Sequence, residues 1–226
     1  SATAVAYTAA GYNTAYRVMT NDAQQGSVLG NYAVSKLGAK KIAIIDDRTA
    51  YGQGLADEVE KAARLAGGEV VAREYTSDRA TDFMAILTSI KAKAPDVVFF
   101  GGMDPQAAPM VKQMKQLGMT ARFLGGDGAQ TPKFIDLAGA DAEGALASNP
   151  GLPLDAMPGG AAFKTKFEAR YGKIQNYAPY AYDAMHVLVE AMKRAGSSDP
   201  AKYLTELPRT DYQGVTGHIR FDAKGD

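Results

Sequence analysis

The chain has 226 residues, no cysteine, and 25 basic and 25 acidic residues. The balanced charge gives no electrostatic reason to bind nucleic acid or an anionic membrane, and the lack of thiols excludes disulfides, thiolate catalysis and cysteine-ligated zinc. No apolar run approaches the roughly 20 residues that cross a bilayer, and His186 and His218 lack the spacing of metal ligands. The sequence therefore predicts no metal site, no cofactor and no direct membrane insertion.

From residue 24 to residue 147, helical patterns alternate with short apolar runs that end in glycine or an acid. Helical periodicity with a stop signal predicts helices over 24–37, 52–66, 82–92 and 105–117. Buried parallel strands read as short continuous apolar runs, which predicts strands over 40–47, 69–75, 95–102 and 122–124. This alternation predicts an α/β fold with a doubly wound parallel sheet and right-handed crossovers.

After residue 147 the pattern changes to turns followed by helices. Residues 149–153 and 157–160 are rich in proline and glycine, and helices are predicted over 161–171, 178–195 and 200–207. A strand or hairpin is predicted over 214–222. Helix 178–195 has an apolar stripe that needs a partner surface, but this part of the chain contains no predicted sheet to cover it. We therefore expect a second lobe that is completed by a segment outside this sequence.

Asp127 is the most informative residue, because it follows a predicted strand and two glycines, Gly125 and Gly126. Ligands of open α/β sheets bind outside the carboxyl ends of the strands. A carboxylate in that place suits a cationic group such as an ammonium, which it holds by charge-assisted hydrogen bonds. The alternative interpretation is that Asp127 caps the helix near Thr131 and Pro132 or stabilises a turn.

Two further strand ends carry candidate residues. Tyr51 opens the helix after the first strand, where it is expected either to form an aromatic wall over the helix start or to pack against the core. After the third strand, Met103 is expected to face the cleft as an apolar contact, and Asp104 and Pro105 are typical of a helix start with Asp104 as the N-cap. The glycine fingerprint of a dinucleotide site is incomplete and no nucleophile–base pair is evident, so the sequence does not predict an enzyme.

Short motifs along the whole chain occur in the order of one known family. They are Ser1-Ala2-Thr3, Gly11-Tyr12, Tyr16-Arg17-Val18, Gln24-Gln25-Gly26, Ile42-Ala43-Ile44-Ile45-Asp46-Asp47, Tyr51-Gly52-Gln53-Gly54-Leu55-Ala56, Thr81-Asp82-Phe83, Phe99-Phe100-Gly101-Gly102, Gly125-Gly126-Asp127-Gly128, Ala142-Glu143-Gly144 and Phe221-Asp222-Ala223-Lys224-Gly225-Asp226. Together they resemble the periplasmic branched-chain amino-acid-binding proteins, which are type I solute-binding proteins of ABC importers.

The resemblance implies roles for particular residues. The segment Ser1, Ala2 and Thr3 would bind the α-carboxylate and α-ammonium of an amino acid. From the other lobe, Tyr51 would close on the ligand and Asp127 would hold its α-ammonium. The aromatic residue that lines the side-chain pocket in the family is matched by Tyr177.

Two positions depart from the members with aliphatic specificity. Those members carry a glutamate where this chain has Asp127 and a tyrosine where it has Met103. Asp127 is shorter by one methylene, and Met103 changes the wall of the pocket. The general amino-acid grip is expected to survive both changes, whereas the side-chain preference does not follow from the resemblance.

The resemblance also implies the architecture: type I lobes joined by a hinge, with the sheet of the first lobe largely missing from this chain. Residues 1–15 would be a remnant of the N-terminal lobe and the first hinge, 16–147 the C-terminal lobe, 148–212 helices of the N-terminal lobe, and 213–226 a return to the C-terminal lobe. The implied function is capture of a free amino acid in the periplasm, after removal of a signal peptide, by a protein that is monomeric at full length and delivers its ligand to the membrane permease of an ABC importer.

Two alternatives stay open. One is the ligand-sensing domain of a receptor or regulator with the same fold, which would bind an amide, a γ-amino acid or an aromatic acid. The other is a nucleotide-binding Rossmann domain, which predicts a full glycine fingerprint and an acid at the second strand end; the sequence has neither.

Overall fold

The computed structural model describes residues 2–226, which form two compact units. Unit 1 combines the residues up to Asn21 with Pro150–Asp226, and unit 2 is the continuous segment Asp22–Asn149. Residues 213–226 thus lie in unit 1. The lobe boundaries implied by the family resemblance concern a longer protein and stay a prediction.

The helices and strands follow the predicted order. The helices are α1 (Ala6–Ala9), α2 (Asp22–Ser35), α3 (Ala50–Leu65), α4 (Met84–Ala92), α5 (Asp104–Gln116), α6 (Pro132–Ala138), α7 (Gly160–Tyr171), α8 (Ala178–Ala195) and α9 (Pro200–Tyr203). The strands are β1 (Lys41–Asp46), β2 (Glu69–Tyr75), β3 (Val97–Gly101), β4 (Arg122–Gly125), β5 (Leu146–Ala147), β6 (Tyr212–Gln213) and β7 (His218–Ile219). Short 3-10 helices span Asp127–Ala129, Gly139–Ala142, Leu154–Ala156 and Leu204–Arg209.

Unit 2 is built on a five-stranded parallel sheet with the order β2-β1-β3-β4-β5. From β1 the chain moves outward to β2 and then returns to the other side of β1 to form β3. The strand order therefore reverses between β1 and β3, which is the place where open α/β sheets form ligand-binding crevices. The predicted α/β fold with a parallel sheet is confirmed.

Both faces of this sheet are covered, which explains the continuous apolar runs. Along β1, Ile42 and Ile44 belong to one buried cluster, and Ala43 and Ile45 to the other. Successive side chains of a strand point to opposite faces, so each strand supplies apolar side chains to two cores. A strand that is buried on both faces loses the alternation of a half-exposed strand.

Helix α2 packs against α3 through small residues. A β-carbon on Gly26 would lie 2.5 Å from Cβ of Glu58, and one on Gly30 would lie 2.6 Å from Cβ of Ala62. Part of the apolar periodicity that predicted a helix over 24–37 does not face the core, because Val28 is 52% exposed. The glycines allow the two helix backbones to approach closely, and the larger side chains are left outside.

Unit 1 has a much smaller core and only short strands. Its buried apolar cluster consists of Val187, Ala191, Leu207 and Ile219. Among the described residues of unit 1, the strands are the antiparallel pair β6 and β7. Strand β7 lies within the predicted range 214–222, and β6 ends just before it. Helix α8 has the predicted bounds, and Met185 on its outer face is 60% exposed.

Buried polar side chains tie unit 1 together. Arg17 donates hydrogen bonds to the carbonyl oxygens of Ala2 and Ala4, each at 2.9 Å, to Oγ1 of Thr8 at 2.8 Å and, through Nε, to Oδ1 of Asp226 at 2.7 Å. The guanidinium thus fixes the segment after residue 1 against the end of the chain.

Asp183 of α8 is a second polar tie and is fully buried. Its carboxylate accepts hydrogen bonds from the backbone N–H groups of Val215 and Thr216, at 2.9 and 2.8 Å, and from Oγ1 of Thr216 at 2.7 Å. A β-carbon on Gly214 would lie 2.5 Å from this carboxylate, so the turn before β7 needs glycine to approach the helix.

Candidate functional site

Asp127 lies at the carboxyl end of β4, in a 3-10 helix that spans Asp127–Ala129, and is 3% exposed. It does not cap the next helix, because the N-cap of α6 is Thr131, whose Oγ1 accepts a hydrogen bond from the backbone N–H of Phe134 at 3.0 Å. The interpretation of Asp127 as that helix cap is therefore wrong. The loop after β4 places a buried carboxylate at the edge of the sheet where ligands of open α/β folds bind.

Two side chains hold the carboxylate of Asp127. The hydroxyl of Tyr51 donates to Oδ1 at 2.8 Å, and Nε2 of Gln25 donates to the same oxygen at 3.0 Å. The backbone N–H of Asp127 donates in return to Oε1 of Gln25 at 2.8 Å. Both donors are neutral, so neither of them adds a positive charge beside the acid.

Tyr51 is fixed from two sides and stays protonated. Its oxygen also accepts a hydrogen bond from the backbone N–H of Gly128 at 3.1 Å. Burial raises the pKa of the Tyr51 hydroxyl well above the ordinary tyrosine value, and the negative charge of Asp127 raises it further. Because the phenol keeps its proton, it acts as a donor to the acid throughout the physiological pH range.

Glycines allow the loops of this edge to approach one another. A β-carbon on Gly101, at the end of β3, would lie 2.3 Å from the carbonyl oxygen of Gly52 in α3. A β-carbon on Gly126 would lie 2.5 Å from the hydroxyl of Tyr51. The glycines at these strand ends are thus a steric requirement of the arrangement around Tyr51.

The helix after β3 begins one residue earlier than predicted. Met103 occupies the N-cap position of α5 and its side chain makes no capping hydrogen bond. The prediction of Asp104 as the N-cap is wrong, since Asp104 is the first residue of the helix and its Oδ2 accepts a hydrogen bond from Oγ1 of Thr131 at 2.6 Å. The carboxylate therefore joins the loop after β4 to the start of α5.

Met103 lies close to the same loop. A β-carbon on Gly128 would be 2.6 Å from Sδ of Met103 and 3.2 Å from the ring of Tyr51, and Met103 is 48% exposed. The structure therefore brings together three of the predicted site residues, Tyr51, Met103 and Asp127, within unit 2. They form a surface with an anionic centre, an aromatic ring and a soft thioether.

The other predicted site residues belong to unit 1. Ala2 and Tyr177 line a cavity of about 270 Å³ that also contacts Tyr16 and Tyr180. Thr3 is 4% exposed, and Ser1 lies outside the described residues. The cavity wall combines tyrosines with small and aliphatic residues, and the backbone of Ala2 is held beside it by Arg17.

Gln25 is the site residue that sequence reasoning missed. It is 3% exposed and lies in α2 at the same helical spacing as Leu29 and Ala33, both of which are buried. Residues four apart lie on one face of a helix. A polar residue at a position of the buried stripe was the available signal, because a buried amide needs hydrogen-bond partners.

A sequence profile of the periplasmic binding proteins matches residues 2–226. The chain belongs to this family. It is 38% identical over 218 residues to an amino acid binding protein of Pseudomonas aeruginosa, an alignment that covers 96% of this chain and 58% of the relative.

Solved structures of the family superpose on the chain. A leucine binding protein, LivK, of Thermotoga maritima has a TM-score of 0.89 at 32% identity, over 96% of this chain and 63% of that one. A branched-chain amino acid transporter substrate binding protein, LivJ, of Streptococcus pneumoniae, solved in complex with isoleucine, has a TM-score of 0.82 at 28% identity, over 96% of this chain and 62% of that one. The chain thus spans about three fifths of these relatives, and the resemblance to type I binding proteins is confirmed.

Within residues 2–226, the structure contains no group of three or more side chains arranged to hold a metal ion. None of the helices in that range is both long enough and apolar enough to span a bilayer.

Proposed function

We propose that the protein is an extracytoplasmic binding protein for a free amino acid, of the branched-chain type or a related one, and that Asp127 binds the α-ammonium. The observation that carries the proposal is the buried carboxylate at the end of β4, whose Oδ1 is fixed by two neutral donors, Tyr51 and Gln25. An ammonium is a strong partner for such an acid, because a hydrogen bond between charged groups contributes about 1.5–3 kcal/mol.

The remaining ligand contacts are proposed from the family resemblance. Ser1, Ala2 and Thr3 bind the α-carboxylate with backbone N–H groups and hydroxyls, and Tyr177 lines the pocket for the ligand's side chain. Met103 contributes an apolar wall beside Tyr51. A flexible thioether adapts to ligands of different shape, which suits aliphatic side chains without selecting one of them.

The mechanism is capture without chemistry. The ligand stabilises a closed arrangement of two lobes because it contacts both of them there, and hinge closure follows from that difference in affinity. No bond is made or broken. The proposed role is delivery of the amino acid from the periplasm to the membrane permease of an ABC importer, in line with the branched-chain amino acid transporter component that superposes on the chain.

The test is a thermal-shift screen of the free amino acids with the protein at its full natural length, followed by calorimetric titration. We expect leucine, isoleucine or valine to raise the melting temperature. Asp127→Asn should weaken binding about 10- to 100-fold, because it removes the charge opposite the ammonium. Stabilisation by NAD and by no amino acid would overturn the proposal.

Asp96→Asn is the matched control. Asp96 also lies in unit 2, but it comes just before β3, at the opposite end of the sheet, where its Oδ2 accepts hydrogen bonds from the backbone N–H groups of Lys40 and Lys41 at 2.8 and 2.9 Å. The substitution removes the same charge and keeps an acceptor oxygen. Affinity equal to that of the unaltered protein is expected, and a loss as large as that of Asp127→Asn would assign the effect to net charge.

A further inference from the structure

The side chain of Gln25 occupies a position that the proposed contacts with the ligand do not explain. It is 3% exposed, and it extends from α2 toward the loop after β4, on the helix face that buries Leu29 and Ala33. A buried amide costs free energy unless its polar atoms are hydrogen-bonded. An apolar residue would fill this position of the stripe without that requirement, so the amide calls for a specific explanation.

Both ends of the amide are engaged with Asp127. Nε2 donates to Oδ1 of the carboxylate at 3.0 Å, and Oε1 accepts from the backbone N–H of the same residue at 2.8 Å. One bond fixes the backbone of Asp127, and the other fixes its carboxyl group. Gln25 therefore restrains both the backbone of Asp127 and the direction of its carboxyl group.

The orientation of the amide follows from its neighbours. Oγ of Ser148 also donates to Oε1 of Gln25, so two donors converge on the oxygen. The NH2 group faces acids instead, since Nε2 lies 3.0 Å from Oδ1 of Asp127 and 3.5 Å from Oδ1 of Asp22. If the amide were rotated by 180°, its NH2 group would face the two donors, and its oxygen would face the carboxylates of Asp127 and Asp22.

We infer that Gln25 is a positioning residue that sets the place and charge of the ammonium-binding carboxylate, an inference that rests on the proposed function. A neutral amide supplies a hydrogen bond to Asp127 without a positive charge that would compete with the ligand. Arginine or lysine in this place would form an ion pair with the acid. Gln25 thus aims the carboxylate without itself neutralising the charge.

Three variants of the protein at its full natural length test this role, with L-leucine as the probe. Gln25→Met has a similar volume but no hydrogen bonds, and Gln25→Glu keeps the acceptor oxygen but replaces the donor with a second acid. Both should bind leucine about 10- to 100-fold more weakly. Gln106→Met is the control, because Gln106 is 6% exposed in α5 of the same unit and donates to the carbonyl oxygen of Asp78; it should bind within about threefold of the unaltered protein.

The pH dependence of binding separates positioning from a general structural role. In Gln25→Glu two carboxylates face each other beside Asp22, and the phenol of Tyr51 stays protonated. Neighbouring carboxylates share a proton at low pH and lose it as the pH rises. The shared proton replaces the hydrogen bond that Gln25 donates to Asp127, so the dissociation constant of Gln25→Glu should rise between about pH 5 and about pH 8 as that proton is lost, whereas that of Gln25→Met stays level.

The outcomes are distinct. Weak binding by both variants, a pH slope confined to Gln25→Glu and a normal Gln106→Met support the inference. Binding by Gln25→Met within about threefold of the unaltered protein, an equal loss in Gln106→Met, or a level pH profile in Gln25→Glu would overturn it. If Gln25→Met fails to fold, the affinity and the pH profile of Gln25→Glu decide. Failure of the unaltered protein to bind any amino acid would instead contradict the proposed function.

Discussion

Unit 2 is stabilised mainly by apolar contacts, whereas unit 1 depends heavily on buried polar ones. The sheet of unit 2 has an apolar cluster on each face, and its polar site lies at the edge of that sheet. Unit 1 has a cluster of four buried apolar residues, and its segments are joined by Arg17 and Asp183. Loss of a buried apolar side chain leaves a cavity, whereas loss of a buried polar partner leaves an unsatisfied group.

The difference suits the proposed roles of the two units. The acid of unit 2 is held by side chains that a rigid core places on α2 and α3. In unit 1, the Ala2 segment is fixed by the guanidinium of Arg17 rather than by a strand. A substitution in one unit should therefore reveal which kind of interaction that unit depends on.

The largest effect is expected in the core of unit 2. Leu87 is fully buried in α4, and Leu65 at the end of α3 is 80% exposed. Leu87→Ala should lower the free energy of unfolding by about 3–5 kcal/mol, because it leaves a cavity, and Leu65→Ala by less than about 0.5 kcal/mol. Urea denaturation followed by circular dichroism measures both, and equal losses would contradict the assignment of the core.

A smaller effect is expected for the buried ion pair of unit 1. Arg17→Met takes the guanidinium away from the carboxylate of Asp226 and from two carbonyl oxygens, and should cost about 2–4 kcal/mol. Asp226 keeps the hydrogen bond from Oγ1 of Thr8, and its side chain is 24% exposed, which reduces the loss. If the loss of stability in Arg17→Met is confined to unit 1, amide hydrogen exchange in this variant should accelerate in β7 and stay unchanged in β3.

Arg64→Met is the control for this change. Arg64 pairs with Glu60 at 2.8 Å on the surface of α3 and its side chain is 54% exposed, so the loss should be about 0.5 kcal/mol or less. A loss as large as that of Arg17→Met would mean that burial does not distinguish the two pairs.

The smallest effect concerns alkaline pH. The raised pKa of Tyr51 means that the unfolded chain loses this proton first, near the ordinary tyrosine value of 10.0. Its contribution to the stability of the folded state is thus complete below that pH and declines as the pH rises toward the folded pKa, by up to about 1.4 kcal/mol per pH unit.

Tyr51→Phe should flatten this decline between about pH 10 and about pH 11. Tyr75→Phe should leave it unchanged, because Tyr75 is 59% exposed and lies on the edge strand β2 of the same unit. Urea denaturation at each pH gives the change in the free energy of unfolding with pH. If this change were identical in the two variants, burial of Tyr51 would not be the cause of its raised pKa.

The sequence predicted the sheet of unit 2 because its strands are buried on both faces. Runs such as Val97–Gly101 are apolar without interruption and end in glycine, which no amphipathic helix resembles. The acid at position 127 stood out for the same reason, since it follows such a run directly. Strand β5 did not stand out because two residues are too few to show a pattern.

The support around the acid was not predictable from local pattern. Gln25 and Asp127 are 102 positions apart, and neither the helix nor the loop indicates that they meet. In α2 the close contact with α3 is made at Gly26 and Gly30, and the large apolar residue Val28 remains exposed. Contacts made by small or polar residues depend on the tertiary arrangement more than on periodicity.

The chain segments that flank unit 2 on its two sides are close to each other. The backbone N–H of Thr20, just before this segment, donates to the carbonyl oxygen of Pro150, just after it, at 3.3 Å. In genetic terms the segment is an insert whose two junctions are neighbours, so a single contiguous gene fragment encodes the whole sheet with Asp127, Tyr51 and Gln25. We therefore expect that the segment carrying these three side chains can be exchanged with that of a relative as one fragment.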